Sequence, residues 1–331
     1  MKIPRHKTKI RSLAVLCSGG DAPGMNAALR AVVRLGLSAG LTVYGVHKGY
    51  GGLIQGHWQV MDRRSVANII LRGGTVLKTD RCPEFMKKSV RKECVERMRA
   101  QGIDALVVIG GDGSFRGAQA LWKEFGFPTV GIPGTIDNDI AGTEATLGFD
   151  TAVNNALEAI DKIRDTASAH ERIFLVEVMG RNSGYIALDV GIGGGAEAIL
   201  LPEAPLSVAE VARKIQGGVE RGKSSSIVVM AEGQNGGGAT KLAEKLHEKY
   251  KIDAKVCILG HIQRGGAPSA RDRVLGSVMG ARAVEALLAG HAGVMVGVAG
   301  DSELLVPFPL TVRRSSKIRH DLIRMAEILA T

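Results

Sequence analysis

The chain has 331 residues, 45% hydrophobic and only 4% aromatic, with 44 glycines and a formal net charge of +10. That length buries a sizeable core but ordinarily divides it between two domains, and few aromatics with many glycines favour an α/β protein whose turns meet ligands. The charge is compatible with nucleic acid, an anionic membrane or small anionic substrates. No long Lys/Arg run lies beyond Met1 to Arg11, itself read as a loosely ordered terminus, and few aromatics are present to stack on bases, so nucleic acid is set aside. No uncharged apolar run approaches the ~20 residues that span a bilayer, and the N-terminus lacks the apolar stretch of a signal peptide. Cys17, Cys82, Cys94 and Cys257 show no C-x-x-C spacing, so neither a zinc site nor a disulfide framework is indicated, and a reduced, cytoplasmic protein is expected.

In chain order, Leu13 to Cys17 reads as a strand that breaks at Ser18-Gly19-Gly20-Asp21-Ala22-Pro23-Gly24-Met25-Asn26, and Ala27 to Leu37 has helical spacing. Strand, glycine turn and helix in that order form a phosphate-binding arrangement, because free N–H groups and the positive end of the helix dipole face the ligand. The turn matches neither G-x-G-x-x-G nor G-x-x-x-x-G-K-[ST], which leaves Gly20 between a phosphate contact and a tight βα connection. Thr42 to His47 reads as a strand, Gly49-Tyr50-Gly51-Gly52 as a mobile turn, and Ser65 to Leu71 as a helix ending at Gly73-Gly74. Arg81, in the polar loop before Cys82-Pro83, suits a phosphate clamp, although solvated surface is the plainer reading. Ser89 to Gln101 is an amphipathic helix. The strand Ala105 to Ile109 ends in Gly110-Gly111-Asp112-Gly113-Ser114, Gly117 to Phe125 is a helix, and the run Phe127 to Ile132 is a strand ending in Pro133-Gly134-Thr135-Ile136-Asp137-Asn138-Asp139.

Phe149 to Thr166 reads as one long helix. His170-Glu171-Arg172 leads to the strand Ile173 to Val178, broken at Met179-Gly180-Arg181-Asn182-Ser183-Gly184. Ala187 to Ala198 is glycine-laden and precedes a short strand, Ile199 to Leu201. A helix (Ser207 to Gln216), a strand (Ser226 to Ala231), a loop (Glu232 to Gly238) and a helix (Ala239 to Tyr250) follow. Val256 to Gly260 is a strand ending in His261-Ile262-Gln263-Arg264-Gly265-Gly266-Ala267-Pro268, Asp272 to Ala289 a long helix, and Val294 to Val298 the final strand. Strands and helices alternate in both halves, which reads as two α/β domains.

Two of these turns carry the chemistry of phosphoryl transfer, which needs charge neutralisation, in-line positioning and an acceptor for the hydroxyl proton. Asp112, between glycines at a strand end, suits Mg²⁺ held largely through water. Asp137 is the candidate base, with Thr135 and the Gly134 backbone fixing what lies beside it. A single Asp after a strand is ordinarily a helix cap or an Asx-turn. Neighbouring strands of an open sheet, however, deliver their turns to one crevice, so the expectation is that Asp112 and the Asp137/Asp139 pair face each other across a nucleotide and a sugar phosphate. Arg172, Arg181 and Arg264 stand at strand edges or glycine turns, where a doubly charged sugar phosphate needs cations. Glu232 and His261, at equivalent strand ends, suit sugar hydroxyls; a backbone-bonded structural histidine is the plainer reading of the latter.

The segments Ser18 to Asn26, Gly110 to Ser114, Pro133 to Asp139, Met179 to Arg181 and Leu259 to Gly266 together resemble the successive signatures of the 6-phosphofructokinases, nearly end to end. The resemblance implies phosphorylation of fructose 6-phosphate by ATP with Mg²⁺, the committed step of glycolysis. It implies two Rossmann-like α/β/α sandwich domains with mostly parallel sheets and the active site in the cleft between them. The larger, ATP-binding domain would take 1–148 and 262–312, and the smaller, sugar-phosphate domain 149–261 and 313–331. Carried over, Gly20, Arg81, Cys82, Gly111, Asp112, Gly113 and Ser114 match nucleotide and magnesium positions. Thr135, Asp137 and Asp139 match the catalytic turn, with Asp137 as base and Arg181 beside the transferred group. Met179, Gly180, Glu232, His261 and Arg264 match the sugar-phosphate site. Arg172 and Lys255 match arginines that the family supplies from a neighbouring subunit, which implies a homotetramer with shared sites; Lys255 keeps the charge but loses the bidentate fork.

Pyrophosphate-using relatives carry Asp where Gly113 stands and Lys where Gly134 stands, so the resemblance favours ATP as donor over the pyrophosphate alternative. Arg30, Arg34, Arg63, Arg164, Glu197, Arg221 and Lys223 match a bacterial effector site for ADP or phosphoenolpyruvate, with Ser224 and Asn68 departing from its pattern. NAD and lipid kinases share only the Gly-Gly-Asp-Gly turn. A catalytically silent anion binder would not keep every candidate catalytic group.

Overall fold

A computed structural model describes residues 3–169, 172–234, 237–312 and 318–330. His170 and Glu171, Asn235 and Gly236 of the expected loop, and residues 313–317 at the expected domain return lie outside the described residues. In chain order the elements are β1 (Ser12–Ser18), α1 (Met25–Ser38), β2 (Thr42–Val46), α2 (Gly49–Gln55), β3 (Trp58–Met61), α3 (Lys88–Ala100), β4 (Ala105–Gly110), α4 (Asp112–Phe125) and β5 (Thr129–Pro133). Then follow α5 (Phe149–Ala169), β6 (Ile173–Val178), α6 (Tyr185–Gly193), β7 (Ala198–Leu200), α7 (Val208–Glu220), β8 (Ser226–Ala231), α8 (Gly238–Tyr250) and β9 (Ala254–Ile258). The chain closes with α9 (Ala270–Leu288), β10 (Val294–Ala299), β11 (Ser302–Pro307), α10 (Phe308–Thr311) and α11 (His320–Leu329).

These elements form two compact units, one of Met1–Ile136, Ile140–Asp150 and Arg264–Ser315, the other of Asp137–Asp139, Thr151–Gln263 and Ser316–Thr331. The first holds a sheet in the order β11-β10-β5-β4-β1-β2-β3. Its five inner strands are parallel, and β3 and β11 pair antiparallel at the two edges. Every residue of β1 and β4 is buried, as expected of central parallel strands covered on both faces. Alternation along β1 sends Leu13 beneath Gly36 of α1, while Ala14 and Leu16 join Phe85, Met98, Phe115 and Phe308 on the other face. Helices α1 and α9 pack almost backbone to backbone: a Cβ on Gly280 would stand 2.5 Å from the Ala28 carbonyl oxygen.

The second unit holds a parallel sheet in the order β7-β8-β6-β9, packed with α7 and α8 around Leu175, Val211, Ile215, Val228, Met230 and Leu246. Strand β8 is wholly buried. Strand β9 forms an edge, and Lys255, Val256 and Ile258 on it are exposed.

The structure corrects several local expectations. Gly49 to Gly52 is not a mobile turn but the start of α2; a Cβ on Gly52 would fall 1.6 Å from the His47 carbonyl oxygen, so close packing is what demands glycine. Ser65 to Leu71 is a series of turns and not a helix, because Ser65 bonds back to Asp62 and Asn68 turns left-handed (φ 54°). Helix α4 begins at Asp112 with Gly111 as N-cap, so the expected glycine loop is half helix. The stretch from Ala187 opens as part of α6, whose Gly191 makes room for Ile199. Strand β9 starts two residues before Val256, and β10 is followed by β11 across a tight turn at Gly300 (φ 55°).

Candidate active site

In the first unit, register brings three strand ends into line. Ser18 of β1 pairs with Gly110 of β4, and Gly110 with Pro133 of β5. Three turns therefore leave the carboxyl edge side by side. They are stitched together: the Ser114 hydroxyl donates to the Ser18 carbonyl (3.1 Å), and the Gly134 N–H to the Gly110 carbonyl (3.0 Å). A Cβ on Gly110 would lie 2.5 Å from both the Ser114 hydroxyl and the Ser18 carbonyl oxygen, so glycine is required. Thr135 is buried, its carbonyl accepts from the Thr146 hydroxyl (2.6 Å), and its Cβ lies 3.9 Å from where a Cβ on Gly111 would stand.

The loop carrying Arg81 is fastened to the same edge. The Thr79 hydroxyl donates to the Gly19 carbonyl (2.7 Å), and the Gly19 N–H to the Asp80 carbonyl (3.3 Å). Arg264 belongs here too: its Nη1 donates to the Asp21 carbonyl (2.8 Å) and lies 3.1 Å from where a Cβ on Gly20 would be. Arg264, expected to serve the sugar phosphate, is anchored on the Gly20-Asp21 turn. Asp112 opens α4, its Oδ1 accepting from the Gly113 N–H (2.6 Å) and its Oδ2 lying 3.4 Å from Arg116, with about half the side chain exposed. Among the described residues no group of three or more His, Cys, Asp or Glu side chains gathers to hold a metal. A single accessible carboxylate fits Mg²⁺, which keeps several waters and commonly takes one or two carboxylates plus substrate phosphates.

In the second unit, Val178 of β6 aligns with Ala231 of β8, and Glu177 with Ile258 of β9, so the turns after these strands share one edge. Asp137 is 1% exposed, and a buried carboxylate needs cationic or hydrogen-bonding partners. Arg181 brings its Nε to 3.4 Å from Asp137 Oδ2. The turn bearing Arg181 is held on several sides. The Arg181 N–H donates to Glu232 Oε1 (2.8 Å), the Met179 N–H to Gln263 Oε1 (2.8 Å), and the Ser183 N–H to the Gly180 carbonyl (3.0 Å). The Ser183 hydroxyl donates to the Asp137 carbonyl (2.7 Å). Arg181 itself is left-handed (φ 53°), a conformation that costs a non-glycine residue about 1–2 kcal/mol and persists only where its surroundings impose it.

Of the residues singled out from sequence, Gly20, Arg81, Gly111, Asp112, Gly113, Ser114, Thr135 and Arg264 therefore stand at one edge of the first unit. Asp137, Asp139, Met179, Gly180, Arg181 and Glu232 belong to the second, with His261 in the turn after β9 and exposed. Arg172 and Lys255 are not brought to that edge: Arg172 precedes β6 and Lys255 pairs with Phe174, near the amino end of the strands. Arg164 donates to the Gly195 carbonyl (3.0 Å) and also to that of Gly194, and Lys223 lies 3.7 Å from the buried Glu197, so these three border the segment 194–197. Arg30 lies on α1, Arg63 in the turn after β3, and Arg221 caps α7.

Sequence reasoning passed over residues that hold the turns. Buried Asn26 donates to the Arg72 carbonyl and accepts from the Val76 N–H (2.9 Å each). Tyr50 stacks on Phe85 and donates to the Ser114 carbonyl (2.7 Å). Gln263, fully buried, ties Met179 to the turn after β9. A large aromatic set among glycines and an amide inside an otherwise exposed turn were the available signals.

The sequence profile described as phosphofructokinase matches residues 12–287. The chain is 53% identical over 321 residues to ATP-dependent 6-phosphofructokinase 1 of Thermus thermophilus, covering 97% of this chain and 100% of that protein. It is 48% identical over 331 residues to ATP-dependent 6-phosphofructokinase of Halothermothrix orenii, with the same coverage. Among solved structures, Pichia pastoris phosphofructokinase superposes with a TM-score of 0.86 at 33% identity, over 98% of this chain and 39% of that longer one.

Proposed function

The chain belongs to the phosphofructokinase family, and from that premise we propose that it moves the γ-phosphoryl group of ATP to the 1-hydroxyl of D-fructose 6-phosphate. The products are fructose 1,6-bisphosphate and ADP, in the committed step of glycolysis. The observation that carries the reading is the buried Asp137 carboxylate held 3.4 Å from the Arg181 guanidinium on a turn braced from several sides. As the bond from the sugar oxygen to the γ-phosphorus forms and the bond to the ADP oxygen breaks, Asp137 takes the hydroxyl proton. Arg181 lies beside both carboxylate and transferred group, where its fixed charge balances the negative charge that spreads over the phosphoryl oxygens. Thr135 and Asp139 flank the catalytic turn, and backbone N–H groups around Gly20, with Arg81, Cys82, Gly111, Gly113 and Ser114, take the nucleotide.

Asp112 is the residue that would hold Mg²⁺, and the ion when bound neutralises charge on the nucleotide phosphates. Met179, Gly180, Glu232, His261 and Arg264 serve the sugar phosphate. ATP is preferred as donor because Gly113 and Gly134 leave no side chain at the positions that mark pyrophosphate use. At Gly134 a Cβ would stand 2.9 Å from the Met25 Cε, so any longer side chain there requires repacking.

We extend the reading to a homotetramer in which Arg172 and Lys255 serve a neighbour's sugar phosphate. It is supported by their place toward the amino end of strands β6 and β9, with about 20 Å of strand between Arg172 and the turn after β6 and about 10 Å between Lys255 and the turn after β9. Exposed Val256, Ile258 and Ile262 on and beside the open edge of β9 support it as well. ADP or phosphoenolpyruvate is the proposed effector, taken by Arg30, Arg34, Arg63, Arg164, Glu197, Arg221 and Lys223. No helix among the described residues is long and apolar enough to cross a membrane, and a cytoplasmic enzyme is the consistent reading. Coupled assays with fructose 6-phosphate and either ATP or pyrophosphate test the whole. Higher kcat/KM with ATP is expected; higher efficiency with pyrophosphate, or no turnover of the sugar phosphate, overturns it.

A further inference from the structure

We propose that Ser183 is a positioning residue for the proton transfer: its hydroxyl ties the Asp137 peptide to the Gly180-Arg181 turn and thereby sets where the Asp137 carboxylate stands. This rests on the reading of Asp137 as the base. Ser183 is 6% exposed and bonds in two directions, through its hydroxyl to the Asp137 carbonyl (2.7 Å) and through its N–H to the Gly180 carbonyl (3.0 Å).

Both segments that Ser183 joins are conformationally expensive. Asn138, directly after Asp137, is left-handed at φ 50°, and Arg181 at φ 53° follows Gly180 at φ 136°. Asparagine tolerates this region better than most residues, but a right-handed alternative lies close in energy. The peptide between Asp137 and Asn138 carries the carbonyl that Ser183 holds, so a move of Asn138 to the right-handed region turns that carbonyl away from Ser183 and releases the Asp137 backbone from the turn that carries Arg181. One buried hydrogen bond is comparable in size to the cost of the left-handed conformation. The Ser183 hydroxyl therefore favours the backbone conformation that presents the base, and it does so from the same turn that aims Arg181 at the carboxylate.

The test is a double-mutant cycle with Ser183→Ala and Asp137→Asn, read by steady-state kinetics and thermal unfolding. Ser183→Ala lowers kcat about tenfold, which is about 1.4 kcal/mol of transition-state stabilisation, while KM for ATP stays within about twofold. Added to Asp137→Asn, it costs the residual rate less than about twofold, because the group it positions is no longer a base. A Ser183→Ala enzyme that turns over within twofold of the parent overturns the proposal, as does an equal tenfold loss in the Asp137→Asn background, which would mark a purely structural role. Parent-like turnover of Asp137→Asn alone would instead remove the base assignment, and Ser183's role with it.

Discussion

Replacing Gly233 with alanine probes how tightly the catalytic turn is located. A Cβ at Gly233 would fall 1.7 Å from the Arg181 carbonyl oxygen and 3.1 Å from the Asn182 Cα, whereas real Cβ contacts do not come under 3.0 Å. The turn bearing Arg181 must then withdraw by about 1.3 Å. Displacement of about 1 Å at a reacting group costs about a hundredfold, or about 2.7 kcal/mol. Strand β8 and the bond from the Glu232 N–H to the Val178 carbonyl (2.9 Å) need not change, so the protein still folds. We therefore expect Gly233→Ala to lower kcat about a hundredfold while KM for ATP moves little, because the nucleotide residues belong to the other unit. A coupled spectrophotometric assay with fructose 6-phosphate and ATP each varied gives both constants, and a thermal melt confirms the fold. A folded variant turning over within threefold of the parent would show that Arg181 need not stand where the Gly233 backbone puts it.

Other outcomes follow from the same geometry. A Cβ on Gly113 meets nothing within 4 Å, so Gly113→Asp should fold normally while its carboxylate repels the nucleotide phosphates and lowers kcat/KM for ATP at least about tenfold; unchanged efficiency refutes the donor argument. Arg172→Ala and Asp137→Asn chains, each nearly inactive alone, should regain about a quarter of parent activity when hybridised, since one shared site in the mixed dimer is intact; no recovery excludes sites shared through Arg172. Burial pushes the Cys17 thiol up to about 12 and the Cys94 thiol up to about 11. Because the thiolate is the reactive form, both should resist a thiol reagent at about pH 8 in the native protein while Cys82 is labelled; peptide mapping that finds Cys17 labelled as fast as Cys82 contradicts their burial.

The turns at the centre of the site were legible because their chemistry is local. Pro133 to Asp139 and Gly110 to Ser114 each follow a short apolar run, and the parallel register then aligns their starting points without help from distant residues. Helices α2 and α6 were not legible: α2 begins and α6 ends in glycine-rich sequence, and the reason for such glycines is a backbone or side chain met only in the fold, such as His47 against Gly52 or Ile199 against Gly191. The edge strands β3 and β11 are short and antiparallel, with exposed residues that blur the apolar signal. The residues that brace the turns escaped for a related reason. Ser183 lies 46 positions from the Asp137 it holds, Tyr50 64 from Ser114 and Gln263 84 from Met179, so no local pattern connects them.

The most direct measurement is the turnover of Asp137→Asn with fructose 6-phosphate and ATP, alongside calorimetric affinities for both substrates. A fall in kcat of three orders of magnitude or more, about 4 kcal/mol, with affinities near those of the parent, is what a buried proton acceptor beside Arg181 predicts. Turnover close to that of the parent would contradict it and assign the proton to another group.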